Sequence, residues 1–247
     1  MGKLDGEVAI VTGGGSGIGK GIARAYAEEG CSLVLAGRNA ERLEAAAQEI
    51  AGATGATVMA VPTDVGDEAQ VKALFARTMD RFGRLDILVN SSGAFDGGRV
   101  DEISLEAWNR VMAANITGPF LCTREAFAIM KDAGGGRIIN IGSISGQRPR
   151  ENSAPYTTSK HAIWGLTQAT ALDGREFGIA VSCLHPGNTL VERRAEGAAA
   201  GRNQDIEPMI PTEEMARVAL LMVTLPPEAN MLEAIVLPVT QKYIGRG

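Results

Sequence analysis

The chain has 247 residues, 45% apolar and 21% charged, an ordinary globular balance with enough length to bury a sizeable core. A formal net charge of −5, with basic residues scattered, leaves no electrostatic footprint for nucleic acid or an anionic membrane. Three cysteines, Cys31, Cys122 and Cys183, stand far apart and without C-x-x-C spacing, so they read as small buried hydrophobes in a reducing compartment, not as a disulfide framework or a metal site.

In chain order, Met1-Gly2-Lys3-Leu4-Asp5-Gly6 holds no apolar leader and no later window reaches the length of a membrane span, which points to the cytoplasm. Residues 8–11 form a short apolar run. The turn Thr12-Gly13-Gly14-Gly15-Ser16-Gly17-Ile18-Gly19 follows, then a stretch with Ile22, Ala23 and Tyr26 at helical spacing. A second strand is predicted at 33–36 and a helix after it, with Leu43, Ala46, Ala47 and Ile50 on one face. Residues 58–61 make a third strand. Asp64 to Asp67 offers caps for a helix carrying Val71, Leu74, Phe75, Thr78 and Phe82.

The rhythm continues with a strand at 87–89, a long helical region over about 105–130, a stop at Gly134-Gly135-Gly136, and a strand at 137–141. A further helix, a strand at 179–184, a helix from about Pro211 and a last strand at 233–237 complete it. Continuous apolar strands separated by helices predict a doubly wound, Rossmann-type α/β domain: one mostly parallel seven-stranded sheet with helices on both faces, spanning 1–247. Residues 188–210, rich in Ala, Gly, Arg and Glu, break the pattern. They read either as a surface loop or as a lid over a substrate, and the lid is the expectation.

Two stretches carry chemistry. Phosphate recognition needs backbone N–H groups at a helix N-terminus with no side chains in the way, and Gly13, Gly17 and Gly19 sit between a strand and a helix in that way. Just after the second strand comes Gly37-Arg38, with no acid until Glu41; a guanidinium there suits a 2′-phosphate, so NADP is expected over NAD, although Ser16 adds no base inside the turn. Farther on, Tyr156 and Lys160 lie four residues apart on one helical face. A phenol ordinarily ionises near pH ~10, and a neighbouring ammonium favours the phenolate, so the pair is suited to proton transfer.

Together these motifs resemble the short-chain dehydrogenase/reductase family over nearly the whole chain. The turn 12–19 matches T-G-x-x-x-G-I-G, Asp64-Val65 matches an adenine-contacting pair, and Asn90-Ser91-Ser92-Gly93 stands where that family has N-N-A-G. Asn115, Ser143, Tyr156 and Lys160 fall at the spacing of its catalytic tetrad, and Pro186-Gly187 follows the sixth strand. The resemblance implies hydride transfer between NADP(H) and a carbonyl or secondary alcohol. Tyr156 would be acid and base, Lys160 would favour the phenolate and hold the ribose, Ser143 would bond the substrate oxygen, and Asn115 would hold a water.

It also implies a cofactor cradle of Gly13, Gly15, Ser16, Gly17, Ile18, Gly19, Arg38, Asp64, Val65, Asn90, Gly93, Tyr156, Lys160, Pro186, Gly187 and Thr189. Thr189 is included because Val191 occupies the usual threonine position. NAD(H) remains an alternative cofactor. Ser143, Tyr156, Phe95, Ser145 and Arg150 are the expected substrate contacts, with Ala94, Gln147, Arg148, Arg193 and Arg194 nearby; the arginines raise an anionic substrate. The ending 237–243 is similar to those of some 3-hydroxy acid and serine dehydrogenases of the family, so a 3-hydroxy acid dehydrogenase or 3-oxoacyl reductase is the narrower reading. A homotetramer or homodimer built on 105–130 and 154–177 is implied as well. The competing class is a catalytically silent NADP(H) sensor or scaffold, against which the complete Ser143, Tyr156 and Lys160 set argues. His161 and His185 are read as structural, and no metal is expected.

Overall fold

The computed structural model describes residues 2–192 and 207–244. Arg193, Arg194 and the middle of the expected lid lie outside the described residues. The main sheet is parallel, in the order β3-β2-β1-β4-β5-β6-β9. Its strands are β1 (Val8–Thr12), β2 (Ser32–Gly37), β3 (Val58–Pro62), β4 (Ile87–Asn90), β5 (Gly136–Ile141), β6 (Ile179–Pro186) and β9 (Glu233–Val236). A separate parallel pair, β7 (Thr189–Leu190) and β8 (Ile210–Pro211), ties together the two ends of the stretch expected to be a lid. The helices are α1 (Gly17–Glu28), α2 (Ala40–Thr54), α3 (Glu68–Phe82), α4 (Leu105–Met112), α5 (Gly118–Ala133), α6 (Ala154–Gly174) and α7 (Thr212–Thr224).

Alternation along the strands builds two cores. Ala9 and Val11 of β1, Leu33 and Leu35 of β2, and Ile87 and Val89 of β4 face α1, α2 and α7, where Ile22, Tyr26, Leu43, Ile50 and Met215 cover them. Ile10, Val34, Ala36 and Leu88 face the other way, toward Val71, Leu74 and Phe75 of α3 and Leu121, Ala126 and Met130 of α5. Because both faces are covered, the strands read as unbroken apolar runs. Each fully buried side chain of this size contributes roughly 1.5–3 kcal/mol.

Local signals set the ends of the helices. Asn39 caps α2 by accepting from Arg42 N, Asp67 caps α3 by accepting from Ala69 N and Gln70 N, and Gly55 and Gly83 close these helices in the left-handed conformation. The long helical region expected over 105–130 is continuous but carries a π-helical segment, Ala113–Thr117, between α4 and α5. The three cysteines are buried and unpaired; Cys31 lies in the first core and Cys122 in the second. Among the described residues no helix is long and apolar enough to cross a membrane.

The strand order reverses between β1 and β4. β2 and β3 lie on one side of that point and β5, β6 and β9 on the other, so a crevice opens at the carboxyl ends of β1 and β4. All loops with predicted chemistry leave the sheet at this end.

Tyr26 is fully buried where α1 packs on α7, and its hydroxyl donates to Ala219 O at 3.1 Å. Tyr26→Phe removes that bond alone and should lower stability by about 1 kcal/mol. Urea unfolding should then show a lower midpoint with an unchanged slope; an unchanged midpoint would mean that the hydroxyl contributes nothing to the helix pair.

Candidate active site

The glycine turn after β1 and the loop after β4 form the floor of the crevice. Gly13 has φ +67°, and a Cβ there would stand 2.8 Å from Ser91 O; at Gly19 it would stand 2.5 Å from Gly13 O. Gly17, the first residue of α1, has φ +55°. Its backbone N–H donates to the Glu192 carboxylate at 2.9 and 3.3 Å. An anion therefore already stands at the helix N-terminus, on the N–H that a phosphate would use, and the bare backbone around it fits a dinucleotide diphosphate. Gly15 and Ser16, with Lys20, Arg42, Glu49 and Glu192, line a cleft of about 230 Å³ between the turn and α2. Arg38 is exposed immediately beyond β2.

Other expected cofactor contacts are arranged around the same crevice. Asp64 Oδ1 accepts from Gly66 N at 2.9 Å, and Val65 is buried against Gly118. Asn90 turns its side chain into the protein: Nδ2 donates to Asn140 Oδ1 at 2.9 Å and to Thr123 Oγ1 at 3.1 Å, and its buried Oδ1 has no hydrogen-bond partner. The amide of Asn90 thus joins β4 to β5 and α5, whereas a cofactor contact was expected of it. In the substituted pair, Ser91 N and Ser92 N both donate to Thr12 Oγ1 at 3.0 Å.

The tetrad positions come together at one end of α6. Ser143 follows β5, and its Oγ accepts from Ser145 N at 3.1 Å. Tyr156 and Lys160 leave the first turns of α6; Lys160 Nζ donates to Ile141 O at 2.8 Å and stands 5.6 Å from the Tyr156 ring centroid. Phe95 packs edge-on against the Tyr156 ring, 5.3 Å between centroids. Asn115 lies in the π segment. Its Oδ1 accepts from Ala94 N at 2.7 Å, while Nδ2 donates to Ala94 O at 3.0 Å and to Ser159 Oγ at 2.9 Å. Both amide protons are used, so the side chain works as a brace between the β4 loop and α6.

The substrate side differs more from expectation. Arg150 Nη2 donates to Glu207 Oε2 at 3.0 Å and to Asn188 Oδ1 at 3.1 Å, and Asn188 Nδ2 reaches the same Glu207 oxygen at 2.6 Å. Ser145 is buried. Thr189 Oγ1 donates to Gly187 O at 3.2 Å, and the Val191 side chain packs on Gly17. Gln241 Oε1 accepts from Asn188 N at 2.9 Å, laying the C-terminal segment over Pro186-Gly187.

Sequence reasoning did not find Glu192, Glu207, Ser159 or Gln241. Only Glu192 carried a signal, its closeness to Pro186-Gly187. His185, expected to be structural, is fully buried directly behind Ser143.

A family model described as short chain dehydrogenase matches residues 7–200. The chain is 37% identical over 217 residues to a 3beta-hydroxysteroid dehydrogenase of Mediterraneibacter gnavus, covering 82% of this chain and 77% of the relative. It is 36% identical over 208 residues to a D-beta-hydroxybutyrate dehydrogenase of Rhizobium meliloti, covering 83% and 81%. Among solved structures, L-sorbose reductase from Gluconobacter frateurii, complexed with NADPH and L-sorbose, superposes with a TM-score of 0.88 at 26% identity, covering 94% of this chain and 95% of that one. A short-chain type dehydrogenase/reductase from Mycobacterium marinum gives 0.86 at 30% identity, with 94% of each chain covered.

Glu192 occupies the N–H at the head of α1 that a phosphate would use. Glu192→Gln should therefore tighten NADPH binding by about 3- to 10-fold, the difference between a charged and a neutral acceptor at that N–H. Calorimetric titration measures it, and an unchanged Kd would exclude the competition.

Proposed function

The chain belongs to the short chain dehydrogenase family, and from that premise we propose that it is an NADP(H)-dependent oxidoreductase acting on a carbonyl or secondary alcohol, with Tyr156 as general acid and base. The observation that carries this reading is the grouping of Ser143, Tyr156 and Lys160 beside a crevice whose glycine turn already holds a carboxylate on Gly17 N. A nicotinamide dinucleotide, when bound, supplies the hydride in reduction and accepts it in oxidation.

The protein's own groups then have separate tasks. In reduction, the Tyr156 hydroxyl gives its proton to the developing alkoxide; in oxidation, its phenolate takes a proton from the alcohol. Lys160 places a positive charge beside the ring on which negative charge develops. Ser143 Oγ offers a preorganised donor to the substrate oxygen, which is worth most where water is excluded. Gly13, Gly15, Ser16, Gly17, Ile18 and Gly19 would hold the diphosphate, Asp64 and Val65 the adenine, and Pro186, Gly187 and Thr189 the nicotinamide end. Arg38, with Arg42 lining the neighbouring cleft, supports the choice of NADP over NAD.

Phe95, Ser145 and Arg150 would meet the substrate. A relative named D-beta-hydroxybutyrate dehydrogenase favours a hydroxy or oxo acid, which keeps the 3-hydroxy acid dehydrogenase or 3-oxoacyl reductase as the narrower reading. Exposed Leu105, Phe120 and Leu172 on α4, α5 and α6 favour a homotetramer or homodimer. The cytoplasm is the proposed location.

NADPH oxidation across ketones, 3-oxo acids and sugars tests the reading. Tyr156→Phe should lower kcat by about 10²–10⁴ while leaving the NADPH Kd within roughly threefold. Arg38→Ala should raise KM for NADPH about tenfold and leave KM for NADH unchanged. A Tyr156→Phe variant that retains the wild-type rate would overturn the assignment.

A further inference from the structure

Outside the tetrad, the buried His185 side chain touches it. His185, near the end of β6, has no exposed surface, and its ring packs so closely on Gly142 that a Cβ there would stand 2.6 Å from Nδ1. Trp164 of α6 closes the site edge-on, 5.9 Å between ring centroids. Ser143 N–H points at His185 Nδ1 at 3.3 Å, and Ser143 O lies 3.0 Å from the same nitrogen. On the far side, buried Nε2 has no hydrogen-bond partner and stands 3.4 Å from Glu233 Oε1 on β9. Glu233 Oε1 in turn accepts from Gln147 Nε2 at 2.7 Å, and Gln147 Oε1 accepts from the Tyr243 hydroxyl at 2.5 Å.

We infer that His185 is a positioning residue for the reaction: as the neutral Nε2–H tautomer it accepts the Ser143 backbone N–H and so sets where the Ser143 hydroxyl meets the substrate oxygen. This rests on the reading of Ser143 given above. The tautomer follows from the charge that the far side of the ring faces. With the proton on Nε2, that N–H dipole is turned toward the Glu233 carboxylate, without a hydrogen bond to it, and Nδ1 is left as the acceptor that Ser143 N–H requires. With the proton on Nδ1, the ring would donate to Ser143 O, which already accepts from Gly146 N, while Ser143 N–H loses its acceptor and a lone pair faces a carboxylate at a buried site.

A second proton can go only to Nδ1. It converts that nitrogen from acceptor for Ser143 N–H into donor to Ser143 O, so the serine is held correctly only while His185 is neutral. The charged groups that bear on His185 are Glu233 and Lys160, and the nearby Cys183 thiol is pushed by burial up to about 12 and stays neutral. Burial dominates and holds the imidazole below its usual range; the Ser143 backbone and Glu233 oppose this and Lys160 reinforces it. A depressed histidine is neutral above its unfolded value, and its contribution is lost as pH falls through the folded one.

The chain has two histidines. Nitrogen NMR of the histidine-labelled protein, assigned with His161→Gln, therefore reads His185 directly and without turnover. The expected result is the Nε2–H tautomer at pH 7.5, titrating below the ordinary imidazole range. In kinetics, His185→Gln, which mimics Nε2 and leaves Ser143 N–H without its acceptor, should lower kcat/KM about tenfold with KM for NADPH unchanged. His185→Asn places an oxygen where Nδ1 was. It should recover most of that loss and lack the wild-type fall in kcat/KM on the acid side. Glu233→Gln removes a group that favours the protonated ring and should move that fall to lower pH. An Nδ1–H tautomer at pH 7.5, or an acid-side fall persisting in His185→Asn, would overturn the inference. Absence of turnover with every carbonyl compound would instead count against the oxidoreductase reading, with the NMR result standing apart from it.

Discussion

One hydroxyl fixes the crevice. Thr12 ends β1, donates to Val89 O at 3.4 Å and accepts from both Ser91 N and Ser92 N at 3.0 Å. The loop after β4 is thereby drawn against the glycine turn at the point where strand order reverses, and this close approach is what forbids a Cβ at Gly13, while the Gly13 carbonyl forbids one at Gly19. From that loop the connection runs on through hydrogen bonds alone: Ala94 to Asn115, Asn115 to Ser159, and Ser159 Oγ to Tyr156 O at 2.7 Å. The turn that would hold phosphate and the phenol that would move a proton are thus held in one frame.

A second polar chain, wholly inside the protein, fixes the other side of α6. Asn90 bonds Asn140, Asn140 Nδ2 donates to Thr167 Oγ1 at 2.9 Å, and Asn90 also reaches Thr123. Buried amides and hydroxyls of this kind are costly unless paired, and paired they specify register in a way that interchangeable apolar side chains do not. Here they lock β4, β5, α5 and α6 together directly beneath the site. α6 is therefore pinned at Ser159 and again two turns on at Thr167, which leaves the Tyr156 and Lys160 side chains little freedom relative to the sheet.

Features that depend on neighbours in sequence were legible before the fold was known. The five inner strands of the main sheet stood out because both faces are buried, and the outer β3 and β9 stood out as short apolar runs although they are partly exposed. Asp67 marked the start of α3, and the Tyr156/Lys160 spacing and the glycine turn carried their chemistry on their face. What could not be read was set by distant partners. Glu192 meets Gly17 across 175 residues of chain, and Arg150 meets Glu207 across 57. No local pattern in Ala113–Thr117 separates a π segment from ordinary helix, since the extra residue in that turn is accommodated by packing. β1 and β4 run one residue past their apolar runs because the ladder continues through polar Thr12 and Asn90, whereas β9 stops one residue short, at Val236.

The cysteines give the two layers of the molecule separate reporters. Cys31 is sealed in the core beneath α1, α2 and α7, and Cys122 in the core beneath α3 and α5, with burial pushing the Cys122 thiol to about 12 and the Cys31 thiol higher still. Neither offers a thiolate to an alkylating reagent while its layer is closed, because the reactive form requires both water and a lower ionisation range. Each becomes labelled only at the rate at which its own side of the sheet opens. Two of the chain's three native cysteines thus act as clocks, one on each face of the sheet, that time the loosening of the layer of α1, α2 and α7 and of the layer of α3 and α5 independently.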